Sequence, residues 1–155
     1  MESRLTMESP MPWRYDDGGR AHAGYRGDAH DCVTRAIAIA TTTPYSEVYD
    51  SLNEYAKRER PRTKTRSAAR TGVHTPTVRR YMDDIGWVWT PTMRVGSGCT
   101  VHLRADELPD DRRMIVKLSR HIVAVVDGVC LDTYDPSRDG TRCVYGYWAP
   151  DQQRP

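Results

Sequence analysis

The sequence predicts an α+β domain in which helices fill the first half of the chain and an antiparallel β-sheet fills the second. Apolar residues recur at helical spacing between residues 31 and 86, and the spacing becomes strand-like after Gly86. The dipeptide Asp127-Gly128 separates the apolar runs HIVAVV and VCLDTY, which is the strongest short signal for a β-hairpin. Helices followed by strands are typical of the α+β class.

A chain of 155 residues is expected to form one domain. Residues 1–30 are rich in Gly, Asp, Arg and Pro and have no sustained period, so we expect a mostly irregular lead-in with room for a short strand. The domain itself is expected to span residues 31–150, and residues 151–155 are expected to form a tail.

Two features of the sequence bear on the location of the protein. No apolar run approaches the roughly 20 residues that cross a bilayer, and the N-terminus lacks the apolar segment of a secretory signal. These features predict no membrane partner and a cytoplasmic location. Since that compartment is reducing, the four cysteines should mostly be free thiols: Cys32, Cys99, Cys130 and Cys143.

The first predicted helix begins at Cys32. Asp31 is a favourable N-cap, and the run CVTRAIAIATTT is apolar on nearly every side, as expected of a central, buried helix. Proline and glycine residues mark the ends of two further predicted helices. One begins at Thr43-Pro44 and ends before Pro61, and the other runs from Thr75-Pro76 to Gly86.

The strands after Gly86 are predicted at WVWTPTM, at residues 114–118, in the two arms of the hairpin and at CVYGYW. With a two-residue hairpin loop, Val123 pairs with Asp132, so His121 and Asp132 become diagonal neighbours on one face. Their Cβ atoms are then roughly 7 Å apart, a gap that an imidazole and a carboxylate can close. The face with His121, Val123 and Asp132 is expected to pack against the helix that begins at Cys32.

These three side chains suit acyl transfer. A thiol at a helix N-terminus lies at the positive end of the macrodipole, which favours the thiolate. A neighbouring imidazole stabilises the thiolate further, and a carboxylate fixes the tautomer and orientation of that ring. Backbone N–H groups at the helix start supply part of an oxyanion hole. The sequence therefore predicts a catalytic triad of Cys32, His121 and Asp132.

The segments DCVTRAIAIA and SRHIVAVVDGVCLDTYDPSR resemble the compact papain-like superfamily, which includes bacteriocin-leader peptidases, transglutaminase-like enzymes and small phage-borne homologues. The resemblance implies a reduced papain-like domain whose central N-terminal helix packs on an antiparallel β-sheet. It assigns the nucleophile to Cys32, the base to His121 and the orienting group to Asp132. One departure concerns the oxyanion hole. Papain places a Gln shortly before its Cys, and here the accessory groups available are His30 and Asp31.

The function implied is a thiol protease or related hydrolase or acyltransferase that acts on an amide bond of a peptide or protein substrate, without a cofactor or metal. The cysteine and the histidine of the predicted triad each also have a purely structural interpretation. A Cys at a helix start is more often inert packing, and a His on an apolar strand is more often a satisfied core residue. The alternative is a non-catalytic phage or mobile-element interaction protein on the same scaffold.

Other residues have competing interpretations. Cys99 and His102 form C-x-x-H, half of a zinc site that would need partners such as Cys143 or His74. Arg35 is expected to pair with the carboxylate four residues before it. The remaining groups are expected to be structural: Cys130 packs beneath the site, Cys143 packs as a small hydrophobe and Asp135 begins a turn.

Residues 57–70 form a predicted basic loop with seven basic residues and one acid. No aromatic residue is interleaved among them, so the stacking groups that bind single strands are missing. A solvated loop is the plain interpretation. The alternatives are contact with an acidic partner and binding of nucleic acid.

Overall fold

The computed structural model describes residues 10–60 and 65–151. This part of the chain contains three helices and a six-stranded mixed sheet, which confirms the α+β class. The helices are α1 (Cys32–Thr41), α2 (Tyr45–Lys57) and α3 (Thr75–Asp84). None of the helices in the described part is long and apolar enough to span a bilayer.

Helix α1 begins at Cys32, as the sequence predicts. Asp31 occupies the N-cap position, yet its carboxylate makes no capping hydrogen bond to the helix. The helix is buried along most of its length, in agreement with its nearly uniform apolar composition. Its C-cap residue is Thr42, which adopts the left-handed conformation with φ of 52°.

The sheet has the strand order β1-β5-β4-β3-β6-β2. Its strands are β1 (Trp13–Tyr15), β2 (Trp87–Pro91), β3 (Arg113–Leu118), β4 (His121–Val126), β5 (Val129–Asp132) and β6 (Gly146–Pro150). The predicted antiparallel sheet is wrong at one edge, where β1 pairs with β5 in parallel. Because β1 precedes the three helices, the chain makes a long crossover before β5 and can return in the same direction.

Strands β4 and β5 form the predicted hairpin. Val126 pairs with Val129 and Val125 with Cys130, which confirms the two-residue loop. Asp127 has φ of 50° and Gly128 has φ of 81°. Positive φ at both loop positions is the requirement of the hairpin turn that an Asp-Gly pair favours.

The face of the hairpin that packs on α1 differs from the prediction. Ile122 and Ala124 lie in the core with the helices, whereas Val123, Val125 and Cys130 lie in a second core on the other side of the sheet. Both sides are covered, so the residues of β4 are buried at nearly every position. A strand that is apolar on both faces carries no alternation from which the helix side could be predicted.

The last strand also departs from the prediction. CVYGYW was expected to be extended from Cys143, but β6 begins at Gly146. Cys143 instead forms an isolated bridge with His102 and a disulfide with Cys99 across a Cα separation of 5.8 Å. The prediction of free thiols is therefore wrong for these two residues. Since disulfides are rare in the cytoplasm, the cytoplasmic location stays a prediction.

The described part of the lead-in, residues 10–30, packs closely against the rest of the domain. Besides β1, it supplies Tyr25, whose ring centroid lies 5.0 Å from that of Tyr45 and 4.7 Å from that of Tyr49 on α2. Arg20 lies 3.4 Å from a carboxylate oxygen of Asp31. Residues 10–30 thus help to hold the start of α1 in place.

Candidate active site

Cys32, His121 and Asp132 lie together at one end of the hairpin. Cys32 is the first residue of α1, His121 is the first residue of β4 and Asp132 is the last residue of β5. The Nε2 atom of His121 lies 2.6 Å from Oδ2 of Asp132, and both side chains are buried. The structure brings the three predicted residues together, while their catalytic roles stay a prediction.

The three side chains come together at the ends of β4 and β5, outside the face of the sheet that α1 covers. By alternation His121 belongs with Val123, on the side of the sheet away from the helix. Both His121 and Asp132 are terminal residues of their strands, so their side chains border the end of the sheet where α1 begins. The predicted juxtaposition is thus reached by a different route from the predicted face packing.

The Cys32 thiol has a lowered pKa. Burial alone would raise the pKa, but a hydrogen bond with the His121 side chain and the charge of that imidazole outweigh burial. The backbone N–H of Ile122 and the guanidinium of Arg35 lower the pKa further. All of these groups favour the thiolate, which is the nucleophilic form of cysteine.

The imidazole of His121 shifts in the complementary direction. Burial would lower its pKa, but the hydrogen bond to Asp132 and the interactions with Cys32 raise it. Because Asp132 contacts Nε2, the Nδ1 atom remains for the thiol. The ring of Tyr134 packs over the imidazole with centroids 5.3 Å apart. The two pKa shifts have opposite directions, and each favours the charged form of its group.

Arg35 links the two acids of the site. Its Nη1 donates to Asp31, and its Nη2 lies 3.2 Å from Oδ1 of Asp132. The predicted ion pair between Arg35 and Asp31 is confirmed, whereas the contact between Arg35 and Asp132 was not predicted. Asp132 also accepts the backbone N–H of Thr133 at 2.7 Å. This network fixes the carboxylate that orients His121.

The two predicted accessory residues have different environments. Asp31 is buried and accepts the hydroxyl of Tyr45 at 2.6 Å in addition to its contacts with Arg35 and Arg20. Since these groups occupy its carboxylate, no side chain caps the start of α1 among the described residues. The carboxylate of Asp31 therefore does not occupy the N–H groups in the first turn of α1.

His30 lies beside the thiol. Its backbone N–H donates to the carbonyl of Arg70 at 2.9 Å, which anchors the residue before α1, and its side chain is exposed. It lines both of the cavities that reach Cys32. The position of His30 suits an accessory group, but its contacts do not assign it a role in proton transfer or in binding an oxyanion.

Two cavities adjoin the thiol and the imidazole. The first, of about 310 Å³, lies between Asp31, Arg35 and Tyr134, and we call it the acid-side cavity. The second, of about 320 Å³, lies between Val73, His74, Lys117 and Arg120, and we call it the cationic cavity. Cys32, His121, His30 and Arg120 line both. The thiol is thus accessible from two sides, as an extended substrate would require.

Sequence reasoning missed several residues around the thiol. Lys117 lies inside the largely buried strand RMIVKL, whose other charged residue, Arg113, stands at its start. A charge in the interior of such a strand was the signal that could have singled out Lys117. Arg120 adopts φ of 57° in the turn before His121, a conformation uncommon for arginine. Tyr45 gave no signal, since its spacing predicts only the apolar face of α2.

The competing sites do not assemble. Cys99 is held in the disulfide, and His102 Nδ1 contacts Glu107 at 3.1 Å, so the proposed zinc half-site is wrong. Within residues 10–60 and 65–151, no three potential metal-ligating side chains are grouped to hold an ion. Cys130 is fully buried, and Asp135 accepts the N–H of Ser137 at 2.9 Å, as expected for a turn.

The basic loop at 57–70 lies partly outside the described residues, because 61–64 are not among them. Four of its remaining cations have partners within the chain. They are Lys57 with Glu54, Arg58 over the Tyr55 ring, Arg66 with the carbonyl of Ala56, and Arg70 with the carbonyls of Arg26 and Asp28.

Comparison with known proteins gives no family for this chain: no protein-family model, curated protein or solved structure matches it.

Proposed function

We propose that the protein is a thiol-dependent hydrolase or acyltransferase that acts on an amide bond of a peptide or protein, and that its domain is a reduced papain-like one. The observation that supports this most strongly is the pair of opposed pKa shifts. The pKa of Cys32 is lowered and that of His121 is raised, next to two open cavities. Such opposed shifts are typical of an activated nucleophile and its base.

In the first half of the reaction, the Cys32 thiolate attacks the carbonyl carbon and forms a C–S bond. The negative charge moves to the carbonyl oxygen, where N–H groups at the start of α1 stabilise it. The C–N bond then breaks, and the amine leaves with the proton of the His121 imidazolium. The product is a thioester on Cys32 and a neutral imidazole.

In the second half, water attacks the thioester and gives one proton to His121. The C–S bond breaks, which restores the thiolate and the imidazolium and releases a carboxylic acid. Hydrolysis consumes one water per amide bond. If an amine replaces water, the same steps transfer the acyl group. Asp132 holds the ring through Nε2 in both halves.

An activated ester tests this proposal without knowledge of the substrate. p-Nitrophenyl acetate should give a burst of p-nitrophenol close to one equivalent, with the acetyl group on Cys32 by peptide mass spectrometry. The burst should vanish in Cys32→Ala and slow by roughly 10²-fold or more in His121→Ala. Cys130→Ala is the matched control, because that thiol is fully buried away from the cavities.

The alternative of a non-catalytic interaction protein makes the opposite prediction. It requires no burst, or acetylation spread over lysines without preference for Cys32. Either result would overturn the proposed acyl chemistry while leaving the fold intact. The rate at which the acetyl group is lost to water, compared with its loss to an added amine, distinguishes hydrolysis from transfer.

A further inference from the structure

The cationic cavity has a charge pattern that points to its ligand. Lys117 from β3 and Arg120 from the turn before β4 line it, together with His30 and His74. No carboxylate is among its lining residues. The acid-side cavity differs, since Asp31 lines it and is already paired with Arg35. Arg120 borders both cavities, so Lys117 is the cation that distinguishes the cationic cavity.

Lys117 is the most informative of these residues. It is partly buried in the middle of the sheet, and its Nζ donates only to the Leu118 carbonyl at 3.2 Å and faces the Tyr145 ring at 5.7 Å. Among the described residues, neither Lys117 nor Arg120 has a carboxylate within ion-pair distance. A partly desolvated ammonium is costly without a counter-charge, so an anion in the cavity would be stabilised.

The pKa of Lys117 agrees with this reading of its surroundings. Burial lowers the pKa, and interactions with Cys32 and Tyr145 act against that shift. Lys117 is thus close enough to Cys32 to respond to a charge on its sulfur. Both residues line the cationic cavity, so a ligand bound to Lys117 there lies near the sulfur.

We propose that the cationic cavity binds a carboxylate of the substrate next to the scissile bond, held by Lys117 and Arg120. The inference rests on the proposed function, since it assigns the substrate class of the same site. The favoured substrate is a peptide with an acidic side chain or a free C-terminal carboxylate at that position. Both supply the same anion, and arginine and lysine are suited to bind it.

Two alkylating reagents test the cavity at the thiol itself. Iodoacetate and iodoacetamide are similar in size, but only iodoacetate carries a carboxylate. At about pH 7 we expect Cys32 to favour iodoacetate over iodoacetamide by roughly ten-fold, relative to the same chain unfolded in urea, because a cationic cleft concentrates anions. High salt should reduce the preference by screening.

Variants assign the preference to residues. Lys117→Met and Arg120→Asn should each lower the iodoacetate-to-iodoacetamide ratio, and the double variant should bring it near that of the unfolded chain. The ratio cancels any change in the pKa of Cys32, because both reagents need the thiolate. Asn tolerates the left-handed backbone at position 120. Arg79→Gln is the matched control, since Arg79 is exposed on α3 and lines neither cavity.

Matched peptides identify the source of the carboxylate by protecting Cys32 from iodoacetamide. A peptide with Glu rather than Gln at the position tests an acidic side chain, and a free C-terminus rather than an amide tests a chain end. A preference in either pair supports the proposal, and a preference in neither overturns it.

The failures of the two proposals are distinguishable. If Cys32 reacts with iodoacetamide but has no preference for iodoacetate, or keeps its preference in the double variant, the carboxylate proposal fails alone. If Cys32 reacts with neither reagent, the proposed function fails and the carboxylate proposal fails with it.

Discussion

The two free cysteines of this protein lie in opposite environments. Cys32 begins α1 at the mouth of two cavities, and imidazole and guanidinium groups lower its pKa. Cys130 is fully buried in the core on the far side of the sheet. Burial raises its pKa, and the carboxylates of Asp132 and Asp135 raise it further. Two identical side chains in one small domain thus have pKa shifts of opposite direction because of their neighbours.

Asp132 contributes to both environments. Its charge acts directly on Cys130 and disfavours a second anion there. At Cys32 its effect passes through His121: the hydrogen bond to Asp132 raises the pKa of the ring, and the ring in turn lowers the pKa of Cys32. The same carboxylate therefore raises the pKa of one thiol and contributes to lowering that of the other. The effect of Asp132 on the pKa of a thiol therefore depends on whether the His121 imidazole lies between the carboxylate and the sulfur.

The largest effect is expected for alkylation at about pH 6. Native Cys32 should react with iodoacetamide about 10²-fold faster than native Cys130 or more, since an ordinary thiol is almost entirely protonated at that pH. Peptide mass spectrometry at short times measures both rates. Unfolding in urea should remove most of the difference, because it removes both environments.

Equal, slow labelling of Cys32 and Cys130 would contradict the predicted difference between their alkylation rates. Hydrogen peroxide, a smaller reagent, then separates an occluded thiolate from a protonated thiol. Oxidation of Cys32 by peroxide would indicate occlusion, and its absence would leave no reactive thiolate in the protein.

A smaller effect, on stability, is expected when Arg35 is removed. Arg35→Met leaves the buried carboxylates of Asp31 and Asp132 without their shared cation. We expect the free energy of unfolding to fall by about 3 kcal/mol, as for the loss of one partner from a buried ion pair. Urea unfolding measures it. The exposed control Arg79→Met should change stability by less than about 0.5 kcal/mol.

If Arg35→Met unfolds like the wild type but slows the alkylation of Cys32, Arg35 acts on the thiolate and not on the fold. That result would separate its two contacts and contradict a structural role. A loss of stability with unchanged labelling would support the structural role alone.

The smallest effect is expected for Asp132→Asn on the pH profile of labelling. Asp132 raises the pKa of His121, and the charged imidazole lowers the pKa of Cys32. Without the carboxylate, the pKa of His121 falls and that of Cys32 rises. The increase of the iodoacetamide rate with pH should therefore move to higher pH, with a loss of about ten-fold near pH 6 for a shift of one unit.

Asp135→Asn is the control for this shift, since Asp135 accepts the Ser137 N–H and, within the described part of the chain, makes no hydrogen bond to His121. A shift in Asp135→Asn, with none in Asp132→Asn, would move the orienting role to Asp135. Identical profiles in all three proteins would make both acids bystanders.

Much of the site could be predicted from local pattern. The Asp-Gly loop fixes the hairpin register, and that register places His121 near Asp132 at the same end of two strands. The N-cap preference of Asp31 predicted the start of α1 at Cys32, although in the structure its carboxylate binds Arg35 and Tyr45 and does not cap the helix. Both are short-range features, decided within a few residues, so the sequence contains them directly.

Long-range pairing could not be predicted in the same way. The parallel contact of β1 with β5 joins residues over a hundred positions apart, and the Cys99–Cys143 disulfide spans 44. Neither has a local signal in the sequence. The prediction of which face of β4 receives α1 was also wrong, because burial on both sides removes the alternation that would distinguish the two faces.

By itself, then, the sequence identified the three side chains of the candidate triad and the local geometry of their hairpin, since residue type and turn length act over short distances. The tertiary structure alone decided that Arg35 joins Asp31 to Asp132 and that Lys117 reaches the cavity beside Cys32. Electrostatic environment depends on all the charges that packing brings near a group and on the water that packing removes. The pKa values of Cys32 and Cys130 therefore emerge only when the chain is folded.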